Sequence, residues 1–86
     1  MERENYIALQ FPSCSVNEGF ARIAVAGFAA QLDPTLEELG DIKTAVSEAV
    51  TNAIVHGYKE KAGRIYIDAV LFSDNTVRIR IRDKGC

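Results

Sequence analysis

The chain has 86 residues, 48% of them hydrophobic, with a formal net charge of -2 and a pI near 5.3. This length and content predict one small folded domain over residues 1–86, and a negative net charge argues against direct nucleic-acid binding. With no apolar run of roughly 18 residues, no signal-peptide pattern, and only Cys14 and Cys86, we expect a cytoplasmic protein without a membrane span, disulfide framework or zinc site.

The first predicted elements are a strand and a helix. Residues 6–11 are short and apolar-rich and are followed by Pro12, which predicts a strand at the edge of a sheet. Ser15 and Glu18 have the spacing of a capping box, so a helix is expected from there to about Leu32. Arg22 points away from the predicted buried stripe, toward solvent or a partner. That stripe consists of Val16, Phe20, Ile23, Ala24, Gly27 and Phe28.

A second and longer helix is predicted next. Thr35 and Glu38 form another capping-box sequence, which starts this helix near Leu36. Its predicted end lies at about His56, because Gly57 readily adopts the left-handed conformation that stops a helix. Its predicted apolar stripe is Leu39, Ile42, Val46, Ala49, Val50 and Ala53.

The polar side of the second helix lines up three chemically different groups, Glu48, Asn52 and His56. Each is four residues from the next, so each lies about 40° further round the helix. A carboxylate can accept a proton, a carboxamide oxygen is a hard ligand suited to Mg²⁺, and an imidazole can donate to phosphate oxygens. By spacing alone, a solvated polar face is the simpler explanation of the pattern.

The remaining chain has the period of a β-hairpin, with a turn at residues 73–76. The order strand, helix, helix, strand, strand predicts an α+β protein, a two-layer α/β sandwich with two helices on one face of a sheet. The far face of the last strand is a row of arginines, most simply a solvated face and alternatively a phosphate-binding row. The predicted inward row is Ile65, Ile67, Ala69, Leu71, Val77, Ile79 and Ile81, and the arginines are Arg78, Arg80 and Arg82.

The last residues combine a carboxylate with a glycine turn. Asp83 leaves a strand and Gly85 follows it, so a ligand could approach the backbone there, although an ordinary turn has the same sequence. A domain seldom stops at the start of such a turn. We therefore interpret the chain as the N-terminal part of a longer domain.

The sequence around Glu48 and Asn52 resembles the N box of the ATPase and kinase superfamily that includes gyrase, Hsp90, histidine kinases and MutL (GHKL). Residues 83–86 are similar to the first part of its Asp-x-Gly-x-Gly box. Within the superfamily, the chain most closely resembles the anti-sigma-factor serine kinases, in particular the sporulation anti-sigma-F factors. The stretches that carry this closer resemblance are residues 20–23, 31–35 and 47–58.

The resemblance implies a Bergerat-type ATP-binding fold, here truncated before the ATP lid, and a role for each candidate residue. Glu48 would be the general base that takes the proton from an attacking serine. Asn52 would hold Mg²⁺ through its side-chain oxygen, and the metal would bridge the phosphates of ATP. His56, one turn further on, would contact phosphate. Asp83 would accept a hydrogen bond from the adenine amino group, and Gly85 would leave room for the base. The implied cofactors are ATP or ADP and Mg²⁺.

The resemblance also implies partners. A homodimer would bind a sporulation sigma factor, sigma-F, and would phosphorylate a serine on an anti-anti-sigma antagonist, with Arg22 as a partner contact. No contact with nucleic acid or membrane is implied. The alternatives are a general-stress anti-sigma serine kinase and a non-catalytic binding module on the same fold. Because the second glycine of the Asp-x-Gly-x-Gly box and the lid are absent from these 86 residues, we expect the chain alone to be inactive.

Overall fold

The computed structural model describes residues 3–57 and 63–84. None of the helices in these two ranges is both long enough and apolar enough to cross a membrane. The order of the elements is the predicted one, and the α+β class is confirmed. In chain order they are β1 (Arg3–Pro12), α1 (Val16–Ala29), a single 3₁₀ turn (Ala30–Leu32), α2 (Leu36–Gly57), β2 (Arg64–Phe72) and β3 (Val77–Lys84).

The strands form an antiparallel sheet in the order β1-β2-β3, so β1 lies at an edge as predicted and the hairpin of β2 and β3 is confirmed. Ile67 stands opposite Leu9 on one side and Ile81 on the other. Residues directly opposite each other share a face of the sheet. The face bearing these residues packs against both helices, and its buried members on β2 are Ile65, Ile67, Ala69 and Leu71.

Helix α2 has the predicted start and the predicted buried face. Thr35 Oγ1 accepts a hydrogen bond from the Glu38 amide at 3.0 Å, and Glu38 Oε1 accepts one from the Thr35 amide at 2.8 Å. This reciprocal capping box satisfies two amides that no helical carbonyl can reach. Val46 and Val50 are buried, and the remaining stripe residues are partly buried. The predicted stripe is therefore confirmed for α2.

The predicted buried stripe of α1 is wrong for most of its members. Val16, Phe20 and Ile23 are 81%, 58% and 64% exposed, and Gly27 is exposed as well. Alanines on the opposite side let the helix approach α2 and the sheet closely. Apolar residues surround this helix, so hydrophobic spacing alone did not identify the packed side. The buried residues of α1 are Ala21, Val25, Ala26, Phe28 and Ala29.

The capping box predicted at the start of α1 is also wrong. Ser15 has helical dihedral angles (φ -58°, ψ -29°) and its side chain makes no capping bond. A side chain caps a helix from the extended region of the dihedral map, which Ser15 does not occupy. Glu18 instead faces Arg22. The turn before α1 is held by Asn17, whose Nδ2 donates to the Pro12 carbonyl at 2.9 Å.

Candidate functional site

Two of the predicted site residues lie on the exposed face of α2. Burial of Val46 and Val50 turns Glu48 and Asn52 outward, and both are exposed. Four residues of helix rise about 6 Å, so the carboxylate and the carboxamide stand one turn apart on nearly the same side. The backbone of His56 continues this stripe within α2. The His56 side chain lies outside the described part of the structure.

An open groove between α1 and α2 brings Glu48 together with Arg22, which is 26 positions earlier in the chain. The groove has a volume of about 520 Å³. Its walls are the two helices, and they carry one carboxylate, two cationic groups and two hydroxyl groups. Such a surface can hold a polar segment of another molecule beside the Glu48 carboxylate. Its lining residues are Arg22, Gly40, Lys43, Thr44, Ser47 and Glu48.

Arg22 is only loosely held by its own helix. Its Nη1 lies 3.6 Å from Glu18 Oε2, and the two side chains are 40% and 23% exposed. That carboxylate oxygen is shielded from solvent and has no hydrogen-bond partner among the residues described. A partly exposed ion pair at this distance contributes little to stability. Arg22 is therefore held by one long contact, and its hydrogen-bond donors remain available to a ligand in the groove.

Helix α2 and strand β3 run side by side in the same direction. Val77 shares a groove with Glu38, whereas Ile81, further along β3, shares another with Ala49, further along α2. Two residues of a strand advance about 6.6 Å and four residues of a helix about 6 Å, so the two elements stay in step. The next residue on this face of β3, two positions beyond Ile81, therefore lies alongside the turn of α2 that follows Ala49.

Asp83 is the residue two positions beyond Ile81 on β3. It pairs with Ile65, whose side chain is buried beneath the helices, so Asp83 lies on the helix-covered face of the sheet. Because Ile65 belongs to the core and Asp83 is exposed, the carboxylate stands at the rim of that face. From the direction in which α2 runs along β3, we infer that this rim lies toward the turn of α2 that carries Asn52. Gly85, the remaining predicted site residue, lies outside the described residues.

The donors present suit a metal that takes most of its ligands from elsewhere. Within residues 3–57 and 63–84, no group of three or more His, Cys, Asp or Glu side chains could hold a metal ion. Mg²⁺ is commonly bound through one or two protein oxygens together with phosphates and water. The exposed carboxamide of Asn52 fits that pattern, because it offers one hard oxygen at an open position.

The sequence interpretation missed the groove residues Lys43, Thr44 and Ser47. The information was partly present, since Gly40, Thr44 and Glu48 follow one another at intervals of four. Extending the polar stripe toward the N-terminus would have added Gly40 and Thr44. On the opposite wall the sequence identified Arg22, but it could not show that α1 packs beside the Glu48 side of α2.

Comparison with known proteins gives two findings. The family profile described as "Histidine kinase-like ATPase domain" matches residues 15–86. Similar relatives include the "Anti-sigma F factor" of Thermoanaerobacter sp. (strain X514), 59% identical over 85 residues, covering 99% of this chain and 59% of the relative. The "Anti-sigma F factor" of Bacillus subtilis (strain 168) is 55% identical over 83 residues, covering 95% of this chain and 56% of the relative. The chain therefore spans less than two thirds of the length of these relatives.

Proposed function

This chain belongs to the histidine kinase-like ATPase domain family, and we propose that the complete protein is a cytoplasmic anti-sigma factor that binds a sporulation sigma factor. We further propose that it uses ATP to phosphorylate a serine on an anti-anti-sigma antagonist. The observation that carries the proposal is the shared groove of Glu48 and Arg22, which combines a proton acceptor with a loosely held partner contact. The names of the relatives support the sigma-F branch.

In this proposal Glu48 is the general base. The serine hydroxyl of the antagonist gives its proton to the Glu48 carboxylate as its oxygen attacks the terminal phosphorus of ATP. A P–O bond forms to serine and the bond to the ADP leaving group breaks. The exposure of Glu48 in an open groove supports this role, because the base must reach a hydroxyl group carried by a separate protein.

The nucleotide would lie beside the Asn52 turn. Asn52 would hold Mg²⁺, which supplies positive charge against the phosphates when bound. His56, one turn on, would donate to a phosphate oxygen. Asp83 would accept a hydrogen bond from adenine and Gly85 would leave space for the base. The run of β3 along α2 supports this arrangement, since it directs the Asp83 end of the sheet toward the turn that carries Asn52.

Helix α1 would supply the partner surface. Arg22 sits on a helix whose outer side exposes Val16, Phe20 and Ile23. Interface centres combine arginine with apolar and aromatic residues, and grouped exposed apolar residues are typical of interaction surfaces. Binding of the sigma factor and of the antagonist at α1 would place both close to Glu48. The homodimer implied by the resemblance belongs to the same proposal.

The first competing function is a binding module without catalysis. It is disfavoured by the retention of both Glu48 and Asn52 on an exposed helix face, since binding alone requires neither. The second is a general-stress anti-sigma kinase, which would differ in its partners. The relatives at 55–59% identity carry the sigma-F name, which favours the sporulation branch.

Glu48→Gln in the complete protein tests the catalytic part. Transfer of labelled phosphate to the antagonist should fall by about 10²–10⁴-fold, the usual contribution of a positioned base, with ATP and sigma-factor binding retained. Glu37→Gln, an equal change in the first turn of the same helix but away from the groove, is the matched control and should leave transfer unchanged. Undiminished transfer by Glu48→Gln would reject the assignment.

Arg22→Glu tests the partner surface in the same preparation. Sigma-factor binding should weaken by about 30-fold or more, as expected for an arginine at an interface centre. The unfolding midpoint should stay nearly unchanged, because the ion pair with Glu18 is long and partly exposed. Intact binding together with a large loss of stability would make Arg22 a structural residue instead.

A further inference from the structure

The sheet face that points away from the helices is strongly basic, although the chain as a whole is acidic. We name this surface the open sheet face. It carries five of the six arginines in the sequence, because Arg3 pairs opposite the outward residue Phe72 and the other four alternate with inward residues. Its outward residues are Arg3, Tyr6, Ala8, Gln10, Arg64, Tyr66, Asp68, Val70, Phe72, Arg78, Arg80 and Arg82.

Neighbouring side chains hold several of these arginines in place. The guanidinium carbon of Arg78 lies 5.5 Å from the centroid of the Phe72 ring, and that of Arg82 lies 5.8 Å from the centroid of Tyr66. Arg80 contacts Asp68 through Nε at 3.1 Å and remains 60% exposed. Stacking orders an arginine without using its hydrogen-bond donors. The row is therefore arranged before any ligand arrives.

The negative charge of the molecule lies mainly in the other layer. On the open sheet face, Asp68 is the acidic residue in register with the arginines, and Glu4 stands at the irregular step of β1. Within residues 3–57 and 63–84, the helical layer and its turns instead carry six acidic residues against Arg22 and Lys43. Those six are Glu18, Asp33, Glu37, Glu38, Asp41 and Glu48.

We propose that the open sheet face binds an extended acidic segment of a protein partner, with its carboxylates at alternate positions. Arg78, Arg80 and Arg82 are spaced two residues apart along β3, which separates their bases by about 6.6 Å. An extended segment carrying an acidic residue at every second position repeats at the same distance. Each guanidinium can then take one carboxylate through paired hydrogen bonds.

A nucleic acid fits this face less well than an acidic protein segment. Two of its aromatic rings already lie beneath guanidinium groups, which leaves Tyr6, 65% exposed, as the ring open to stacking with a base. A long polyanion would also meet the acidic helical layer, whereas a short segment fits along one strand. The proposal concerns the layer opposite the Glu48 groove, so it does not depend on the kinase assignment.

The test uses peptides of one composition in two arrangements. A fluorescent peptide that alternates Glu and Thr over ten residues is titrated into the 86-residue chain at low salt, and binding is followed by anisotropy. The comparison peptide contains the same residues in one Glu block and one Thr block. We expect the alternating peptide to bind several-fold more tightly, and its binding to weaken as salt is raised. Failure of the alternating peptide to bind up to about 1 mM would overturn the proposal.

Charge-matched variants identify the binding face. Arg78→Gln with Arg82→Gln should weaken the alternating peptide by about tenfold or more, since each removes a charge-assisted contact. Lys43→Gln, matched in charge to Arg78→Gln alone, removes one positive charge from the helical layer and should change binding less than about twofold, whereas Arg78→Gln alone should weaken it several-fold. Equal losses in these two single variants would show attraction by net charge only and would reject the site.

Further measurements keep the test valid if a variant fails to fold, and they compare the peptide with other polyanions. Arg78→Lys with Arg82→Lys keeps the charge but loses the paired donors, and it should also weaken binding. Backbone amide shifts of the unaltered chain, recorded with the alternating peptide, should change on β2 and β3 even if a variant fails to fold. Shifts confined to α1 and α2 would overturn the proposal. So would tighter binding of a ten-nucleotide thymidine strand or of phosphatidylserine vesicles.

Discussion

The two helices have similar sequence signals but different outcomes. Each begins with a capping-box sequence and carries apolar residues at helical spacing. In α2 both signals hold, because the Thr35–Glu38 cap forms and Val46 and Val50 are buried. In α1 neither holds, because Ser15 makes no cap and Phe20 and Ile23 face outward. An apolar stripe identifies the packed face only when the opposite face is polar.

Side-chain size accounts for the orientation of α1. Its packed side carries Ala21, Ala26 and Ala29, which let the helix axis come close to its neighbours and bury Val25 completely. Placing Phe20 and Ile23 inward would hold the helix further away. The result is an apolar outer side that is available for contacts with other molecules.

The largest effect is expected from placing a carboxylate on the packed side of α1, compared with placing one on its exposed side. Val25→Asp places a carboxylate at a position of 0% exposure and should cost about 3–5 kcal/mol, comparable to the whole stability of a domain this small. Ile23→Asp, two positions earlier but 64% exposed, should change stability by less than about 0.5 kcal/mol. Urea unfolding followed by circular dichroism measures both. A larger loss for Ile23→Asp would restore the orientation predicted from the sequence.

A smaller effect is expected from the caps. Thr35→Ala removes the side-chain half of a formed capping box and should lower the free energy of unfolding by about 1 kcal/mol. Ser15→Ala is the matched change in α1 and should have almost no effect, because the Ser15 side chain makes no capping bond. Thermal or urea unfolding compares them directly. Equal losses would mean that the two helix starts do not differ in solution.

Replacing the helix glycines with alanine should change the free energy of unfolding by a similar amount, but in the stabilising direction. Gly27 in α1 and Gly40 in α2 both have open space where a Cβ atom would stand. Gly27→Ala and Gly40→Ala should each stabilise the chain by about 0.5–1 kcal/mol, because alanine restricts the unfolded chain and favours helix. A loss at Gly27 alone would reveal a close contact at the outer side of α1.

The smallest effect is a pH dependence that arises from the cap of α2. Hydrogen bonds from the Thr35 backbone amide and then its side chain lower the pKa of Glu38 below its ordinary value of 4.5. A lowered pKa in the folded state gives stability that is full above 4.5 and is lost as the pH falls through the folded value. Glu38→Gln should remove this component. Unfolding midpoints at pH 6 and at about pH 3.5 would show a smaller difference in the variant than in the parent chain.

Local signals determined most of the secondary structure. The alternation along β2 and β3 and the Thr35–Glu38 cap predicted the two strands and the start of α2, because these signals depend on residues close in sequence. β1 is longer than predicted, Arg3–Pro12 rather than residues 6–11. Its polar N-terminal part has no apolar alternation of its own and gains its strand conformation by pairing with β2.

In the candidate site, too, some features follow from the local sequence and others depend on tertiary structure. The stripe of Glu48 and Asn52 follows from the sequence alone, since one helix with one apolar side determines where its polar residues point. The groove that joins Arg22 to Glu48, the place of Asp83 at the rim of the helix-covered face, and the concentration of arginines on the open sheet face were decided by tertiary structure. Each depends on how closely two distant segments pack, and that distance is set by the small side chains of α1 and the register of three strands.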